Sequence, residues 1–336
     1  MNKSSIVLIL SIIAVVAVSG CLSAKEEATP ASAFVGGTSG LSMSFMSNAP
    51  PTEYPECTGF DINVQLENKG EYTIPADKAG ITISGIATSA TGYGITPAAT
   101  QKTEEIAARQ KFGKSTTPGG QELMSFSSIG SPDFPGDTTQ TIIATSCYPY
   151  RTIAMSTVCI KESFTKQTTG GTELCKITGD KTVYNSGAPI QVSSISQFPV
   201  GSPISGITIN LKLKDSGGGT PYATTGTCPA PSQKEIGKIT ITKMHLINLD
   251  KTGECQGNTV TMVNGEAFIS CKFSWAGEKI TGEFEDILEM NFDYGYTQTA
   301  TTKVKFLNVP GQDCVSSRSS SASSEEAESE IPGAPG

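Results

Sequence analysis

The chain has 336 residues, of which 37 % are hydrophobic and 17 % charged, and its formal net charge is -8. That hydrophobic share supports packed cores and argues against global disorder, and the length suggests about two domains. The acidic balance and the lack of a basic cluster exclude a nucleic-acid partner, while a single histidine argues against His-built zinc sites and Ser-His-Asp chemistry.

In chain order, residues 1–20 read as a signal peptide. Lys3 supplies a positive start, and Ile6 to Val18 is an apolar run broken only by Ser11. Thirteen helical residues rise about 20 Å, short of the roughly 30 Å hydrocarbon core, so the run is a signal segment and not a span. Val18-Ser19-Gly20-Cys21 closes it, and this exit resembles the lipobox of prokaryotic lipoproteins. The resemblance implies that Cys21 is lipidated and becomes the first mature residue, with membrane lipid as its partner. Residues 21–40 are small and polar, a spacer behind the lipidated cysteine.

Residues 41–165 and 188–313 each read as an antiparallel β-sandwich. Phe60 to Gly70 (FDINVQLENKG) aligns with Ile207 to Gly217 (ITINLKLKDSG), 147 residues later. Tyr148-Pro149-Tyr150 matches Tyr294-Gly295-Tyr296 at an offset of 146. Gly80 to Ile83 matches Lys238 to Ile241 once the loop Ser216 to Pro231 absorbs the extra residues. Three ordered matches with period-2 alternation predict a duplicated all-β architecture. Asn264-Gly265 marks a hairpin between Thr259–Met262 and Ala267–Phe273. Ile287–Tyr296 and Thr299–Leu307 are read as a closing pair of strands. Thr100–Lys111 (TQKTEEIAARQK) is the one stretch of helical content, read as a surface helix or a loop. Residues 166–187 are a linker, and 314–336 a Ser- and Glu-rich tail whose composition cannot pack a core.

Behind Cys21 stand eight cysteines, an even number that in an exported chain reads as four disulfides. Cys255 and Cys271 flank the Asn-Gly turn, and Cys159 and Cys175 bracket a polar loop. Elimination then leaves Cys57 with Cys147 and Cys228 with Cys314, giving two bridges per half.

The lipobox, the V-x-L-x-N-K-G strand (Val64 to Gly70) and the Y-x-Y before a last strand together resemble the tandem immunoglobulin-like, CARDB-type domains of archaeal cell-surface lipoproteins. The resemblance covers residues 41–310. It implies a lipid-anchored protein on the extracytoplasmic face of the membrane, acting in adhesion or envelope architecture. Its partner would be another envelope protein or a glycan. It carries over no catalytic residue and no cofactor.

Possible chemistry is sparse. Gly113-Lys114-Ser115-Thr116 resembles the end of a phosphate-binding loop, but Ala108 stands where that motif needs glycine, so it reads as a turn. Glu283, Glu285, Asp286 and Glu289 suit glycoside hydrolysis only if paired in a cleft; as a strand edge they are solvated. No Ca²⁺-loop spacing and no CxxC pair is present, so no metal is expected. The paired tyrosines read as cross-sheet packing, His245 and Trp275 as packing residues, and the loops Thr88–Gly120 and Ser216–Pro231 as recognition surfaces. A glycan- or solute-binding lipoprotein is the alternative reading, and it requires an aromatic-lined pocket.

Overall fold

A computed structural model describes residues 33–163, 174–226, 228, 231–278, 280–311 and 314; the signal segment, Cys21 and the tail beyond Cys314 lie outside them. The described chain is all-β. Its strands are β1 (Leu41–Phe45), β2 (Glu53–Pro55), β3 (Asp61–Asn68), β4 (Gly80–Ser84), β5 (Ile95–Thr96), β6 (Thr100–Lys102), β7 (Gln110–Phe112), β8 (Ser115–Thr117), β9 (Gln121–Ser128) and β10 (Thr138–Lys161). The second half contributes β11 (Gly179–Lys181), β12 (Val183–Asn185), β13 (Ile190–Val200), β14 (Gly206–Asp215), β15 (Thr220–Tyr222), β16 (Lys238–Leu246), β17 (Lys251–Thr252), β18 (Glu254–Cys255), β19 (Thr259–Thr261), β20 (Glu266–Ser274) and β21 (Glu283–Leu307).

Two strands organise everything else. β10 and β21 pair antiparallel without a register break from Thr138↔Phe306 to Lys161↔Glu283. At about 3.4 Å per residue this ladder is roughly 80 Å long, far beyond a common strand. Even-numbered residues of both strands point to one face, because paired numbers here always share parity and side chains alternate. That face carries Ile142, Ala144, Tyr148, Tyr150, Ala154, Val158 and Ile160 from β10, all buried, and Leu288, Met290, Phe292, Tyr294, Tyr296, Val304 and Phe306 from β21. Odd positions hold Thr, Arg, Lys and Glu and meet solvent more often.

Two smaller sheets cover this face end to end, with orders β1-β3-β9-β5 and β11-β13-β14-β20-β18. Phe306 near the end of β21 packs on Phe60 and Tyr93 of the first half, with ring centroids 5.6 and 5.5 Å apart. At the other end the Gln197 carboxamide of β13 bonds both backbone groups of Cys159 in β10. Each long strand therefore lies under both small sheets, and its two ends pack in one continuous core.

The duplication is visible in the pairings. β1-β3-β9 and β13-β14-β20 share registers, Leu41↔Asn68 answering Ile190↔Asp215 and Asp61↔Ser127 answering Thr208↔Lys272. β10 and β21 are themselves the repeated strands, related by a pseudo-twofold axis at the pair Pro149↔Gly295. The third match falls two residues from its expected place: Ile81 pairs with Ser146 as Ile241 pairs with Phe292, so Ile81 answers Ile241. A bulge between Ile241 and Lys243 moves the apolar positions of β16 from Ile239 and Ile241 to Met244 and Leu246.

Several expectations need correction. Thr100–Lys111 holds β6 and the start of β7 where a helix was one reading, since pairing with β4 takes Thr100–Lys102. Ile287–Tyr296 and Thr299–Leu307 are one strand, because β10 offers a continuous partner and Thr297-Gln298 offers no turn residue. In the expected linker, β11 and β12 pair with β13 and β10. In the expected spacer, Val35 and Gly36 donate their N–H groups to the Glu71 carboxylate at 2.8 Å. Asn264 and Gly265 do form a left-handed turn, with φ of 53° and 76°. Its flanks nevertheless separate after Val263↔Glu266, and β19 pairs with β16.

The structure pairs Cys159 with Cys175 and Cys255 with Cys271, each 16 residues apart. The other two pairings differ from elimination: Cys57 bonds Cys314, and Cys147 bonds Cys228. β2 runs parallel to the end of β21 and so delivers Cys57 to the chain leaving that strand. β15 pairs with β21 at Gly295–Thr297, which lays the following loop over Cys147. Two bridges per half is therefore replaced by two local bridges and two that join distant segments. Four disulfides mark an oxidising, extracytoplasmic environment. Among the described residues no helix is long and apolar enough to cross a membrane.

Candidate functional site

The pseudo-twofold axis passes through four tyrosines. Tyr148, Tyr150, Tyr294 and Tyr296 are buried on the inner face, with neighbouring ring centroids 5.8 to 6.3 Å apart. Tyr150 donates to Asn68 Oδ1 at 3.2 Å, and Tyr296 donates to Asp215 Oδ1 at 2.7 Å. Asn68 and Asp215 are equivalent positions at the ends of β3 and β14. Each also caps a turn, accepting the N–H of Gly70 or Gly217 through the same oxygen. The two sequence signals, a strand ending in Asx-x-Gly and a Y-x-Y, are thus halves of one joint.

Glycine is required at that joint. A Cβ on Gly70 would lie 1.9 Å from the Tyr150 hydroxyl, and one on Gly217 2.6 Å from that of Tyr296. Burial pushes all four phenols up, with Tyr148 and Tyr294 also raised by the neighbouring tyrosines. Tyr93 and Tyr222 are pushed to about 12, first by burial. Folded pKa values above the unfolded value of about 10 mean that the native state holds these protons longer. Stability is therefore expected to be level below about pH 10 and to fall as pH rises beyond it, by about 1.4 kcal/mol per pH unit for each such phenol. Denaturant unfolding at stepped alkaline pH, read with tyrosinate absorbance, checks this; ionisation preceding unfolding would contradict it.

The acidic run lies along one strand, each carboxylate with its own setting. Glu283 accepts the Cys175 N–H at 2.7 Å and pairs with Lys161 at 3.1 Å; the backbone bond foremost, then the lysine, holds its carboxyl below the usual range. Asp286 is fully buried and accepts the N–H groups of Asn248 and Leu249 at 2.8 and 3.0 Å. Glu289 pairs with Lys243 at 2.7 Å, and Glu285 is exposed. Asp286→Asn is expected to destabilise by about 1–3 kcal/mol, because its carboxylate satisfies a loop backbone, whereas Glu285→Gln leaves stability within about 0.5 kcal/mol. Parallel urea titrations separate the two.

Cys159, Cys175 and Glu283 bring their ligand atoms within 4.8 Å of one another. The two sulfurs are joined in a disulfide, so the thiolates that a metal needs are not available. His245 sits 3.4 Å from Asp250 at a hollow of about 390 Å³ opened by the β16 bulge. Trp275 is buried and donates to the Ile204 carbonyl at 3.1 Å. Gly113-Lys114 is the two-residue turn joining β7 and β8. Of the expected recognition loops, the described part of Ser216–Pro231 is strapped down by β15 and by Cys228, with Tyr222 over Gly295. Sequence reasoning missed Glu71, which gathers the N–H groups of Val35, Gly36 and Gly187. It also missed the Asx–tyrosine bonds, although the nearly equal offsets of the two motifs, 147 and 146 residues, were a usable signal.

No protein-family model matches the chain, and no curated protein matches it. Among solved structures it is similar to a secreted serine protease, VesC, from Vibrio cholerae, at 10 % identity and a TM-score of 0.18. That match covers 76 % of this chain and 50 % of that one, so the chain spans half the length of the protease structure. A protein of unknown function from Porphyromonas gingivalis W83 matches at 9 % identity and a TM-score of 0.17, covering 70 % of this chain and 83 % of that one. Likeness at these scores carries no argument about fold or activity.

Proposed function

We propose that the protein is a non-enzymatic, lipid-anchored lipoprotein on the extracytoplasmic face of the membrane. Cys21 carries the lipid, and two immunoglobulin-like sandwich units, which share their long strands, form the body. Its role is adhesion or envelope architecture through contact with another envelope protein or a glycan. The observation that carries this reading is the conjunction of Val18-Ser19-Gly20-Cys21 with an all-β body held by four disulfides. Export supplies the oxidising setting in which such bridges persist. The carboxylates of the acidic run support it, since three of the four hold lysines or loop backbone in place.

The test is mass spectrometry of the full chain made in a lipoprotein-processing host. The expected product begins at Cys21 with acyl mass on that residue and partitions into detergent, while Cys21→Ser stays unlipidated. An unmodified Cys21 in the wild type would remove the anchor from this reading.

A further inference from the structure

The pseudo-twofold symmetry is broken along the outer edges of the long strands, where β15 and β2 add to β21 and β12 adds to β10. In the second half, the gap between β13 and β10 is filled by β12, which pairs with Ala154–Ser156 of β10. From β12 the Asn185 carboxamide bonds both backbone groups of Val192 in β13, at 2.9 and 3.0 Å. The symmetry-related gap lies between β1 and β21. It is open, a slit of about 220 Å³ lined by Ser39–Met43, Tyr148, Gln298 and Thr299 among others.

The edges of this slit are unpaired strand edges. In β21 the Lys305 N–H reaches Thr52 at 2.8 Å, and the Leu307 carbonyl accepts from Glu56 at 3.0 Å, so odd residues turn their backbone groups away from β10. Thr299, Thr301 and Lys303 follow the same alternation, and on the edge away from β10 no strand among the described residues pairs with them. In β1, Gly40 and Met46 bond towards β3, so Met43 turns its N–H and C=O into the slit. Met43 is the equivalent of Val192, since both pair with matching residues, Leu66 and Leu213.

The floor shows the same asymmetry. Tyr294 is hydrogen-bonded to Thr152 at 2.9 Å and accepts the Ile190 N–H at 3.4 Å. Its mate Tyr148 is 0 % exposed and meets the Leu41 backbone N–H as Tyr294 meets that of Ile190, but beside the slit no side chain answers it as Thr152 answers Tyr294. A buried hydroxyl without a side-chain partner, under two open strand edges, is a polar site lacking part of its complement. The rest of the joint is symmetric, with the Gln298 side chain on the Leu41 carbonyl as Thr152 is on that of Ile190.

We infer that the β1–β21 slit accepts a short extended strand from a second polypeptide, one that brings an Asn or Gln carboxamide opposite Met43. The equivalent slot states what fits: a three-residue strand, here Val183–Asn185, paired to the long strand and carrying a carboxamide to the facing edge. The rim presents threonines, Ser42 and Met43, which suits an uncharged strand. Strand addition supplies affinity through main-chain bonds and selectivity through the alternate side chains. This inference stands whether or not Cys21 is lipidated.

The probe is a synthetic peptide with the sequence of residues 181–187, KTVYNSG, added to the full chain with its disulfides intact. Amide hydrogen exchange is expected to slow at Met43, Thr299 and Thr301 in a saturable manner, with Ala154–Ser156 unchanged. Replacing the peptide's asparagine with alanine is expected to weaken binding at least tenfold. Thr301→Pro removes a donor from the open edge only, and should weaken it similarly while its circular dichroism and melting match the wild type. The wild-type exchange pattern decides the matter should that variant misfold. No slowing at millimolar peptide, or slowing indifferent to the asparagine, overturns the inference. Protection that grows with protein concentration alone also overturns it, in favour of self-association.

Discussion

Residues 33–163 made alone are expected not to fold cooperatively, and neither are residues 174–311. The first fragment lacks the end of β21, and with it Val304 and Phe306, both fully buried, the latter against Phe60 and Tyr93 of the first half. The second lacks the end of β10, with Val158 and Ile160. Each such side chain contributes about 1.5–3 kcal/mol by burial, and the whole 24-pair ladder from Thr138 to Lys161 disappears with it. Against a total stability of about 5–15 kcal/mol, this loss removes the folded state. Thermal melts of either fragment should be broad, with dye-binding apolar surface. Mixing the two under oxidising conditions should restore one sharp transition and the covalent links between fragments, Cys147–Cys228, Cys159–Cys175 and, where the second fragment extends through Cys314, Cys57–Cys314. A sharp melt of 33–163 by itself would show the halves to be independent.

Gly70→Ala should be among the most damaging single methyl groups that can be added. Its Cβ would sit 1.9 Å from the Tyr150 hydroxyl, 2.5 Å from the Gly187 carbonyl and 2.7 Å from that of Ser39. Two of the three obstacles are backbone, so relief requires separating β1, β3 and the segment before β13. The expected cost is about 3 kcal/mol or more, a drop of roughly 6–10 °C in melting temperature. Gly217→Ala, blocked by Pro189 at 2.4 Å and by the Tyr296 hydroxyl, should behave alike. Gly136→Ala meets nothing within 4 Å and is the control. Adding Tyr150→Phe to Gly70→Ala should recover part of the loss, a non-additivity that reports the contact directly. Equal melting of all these variants would refute the tyrosine joint.

Much of this architecture is legible in the sequence, and the boundary is instructive. Alternation identifies strands such as Asp61–Asn68 and Gly206–Asp215 because one face of each is buried. The duplication is legible because Asn68 and Asp215 stand 82 and 81 residues before the matching tyrosines of the two Y-x-Y segments. What sequence cannot distinguish is whether the repeated strands close their own halves or pair with each other. The offset of 146 residues is the same either way. Reading Ile287–Leu307 as two strands follows from typical strand lengths, and it fails because β10 supplies a partner of equal length. The cystines divide in the same way. The two pairs 16 residues apart are visible as local closures, while Cys57–Cys314 depends on β2 running parallel to β21, which no local pattern encodes. The slit is illegible for a related reason: it is the absence of a strand where symmetry places one.

The Cys57–Cys314 bond has a mechanical meaning. Tension applied between an anchor at the start of the chain and a load beyond Cys314 travels from residue 33 to Cys57, crosses the sulfur bridge and leaves. Only that short leading stretch lies in series with the pull. The covalent loop between the two cysteines, which stand 257 positions apart, hangs in parallel, and stretching the protein by its ends cannot unravel the long ladder.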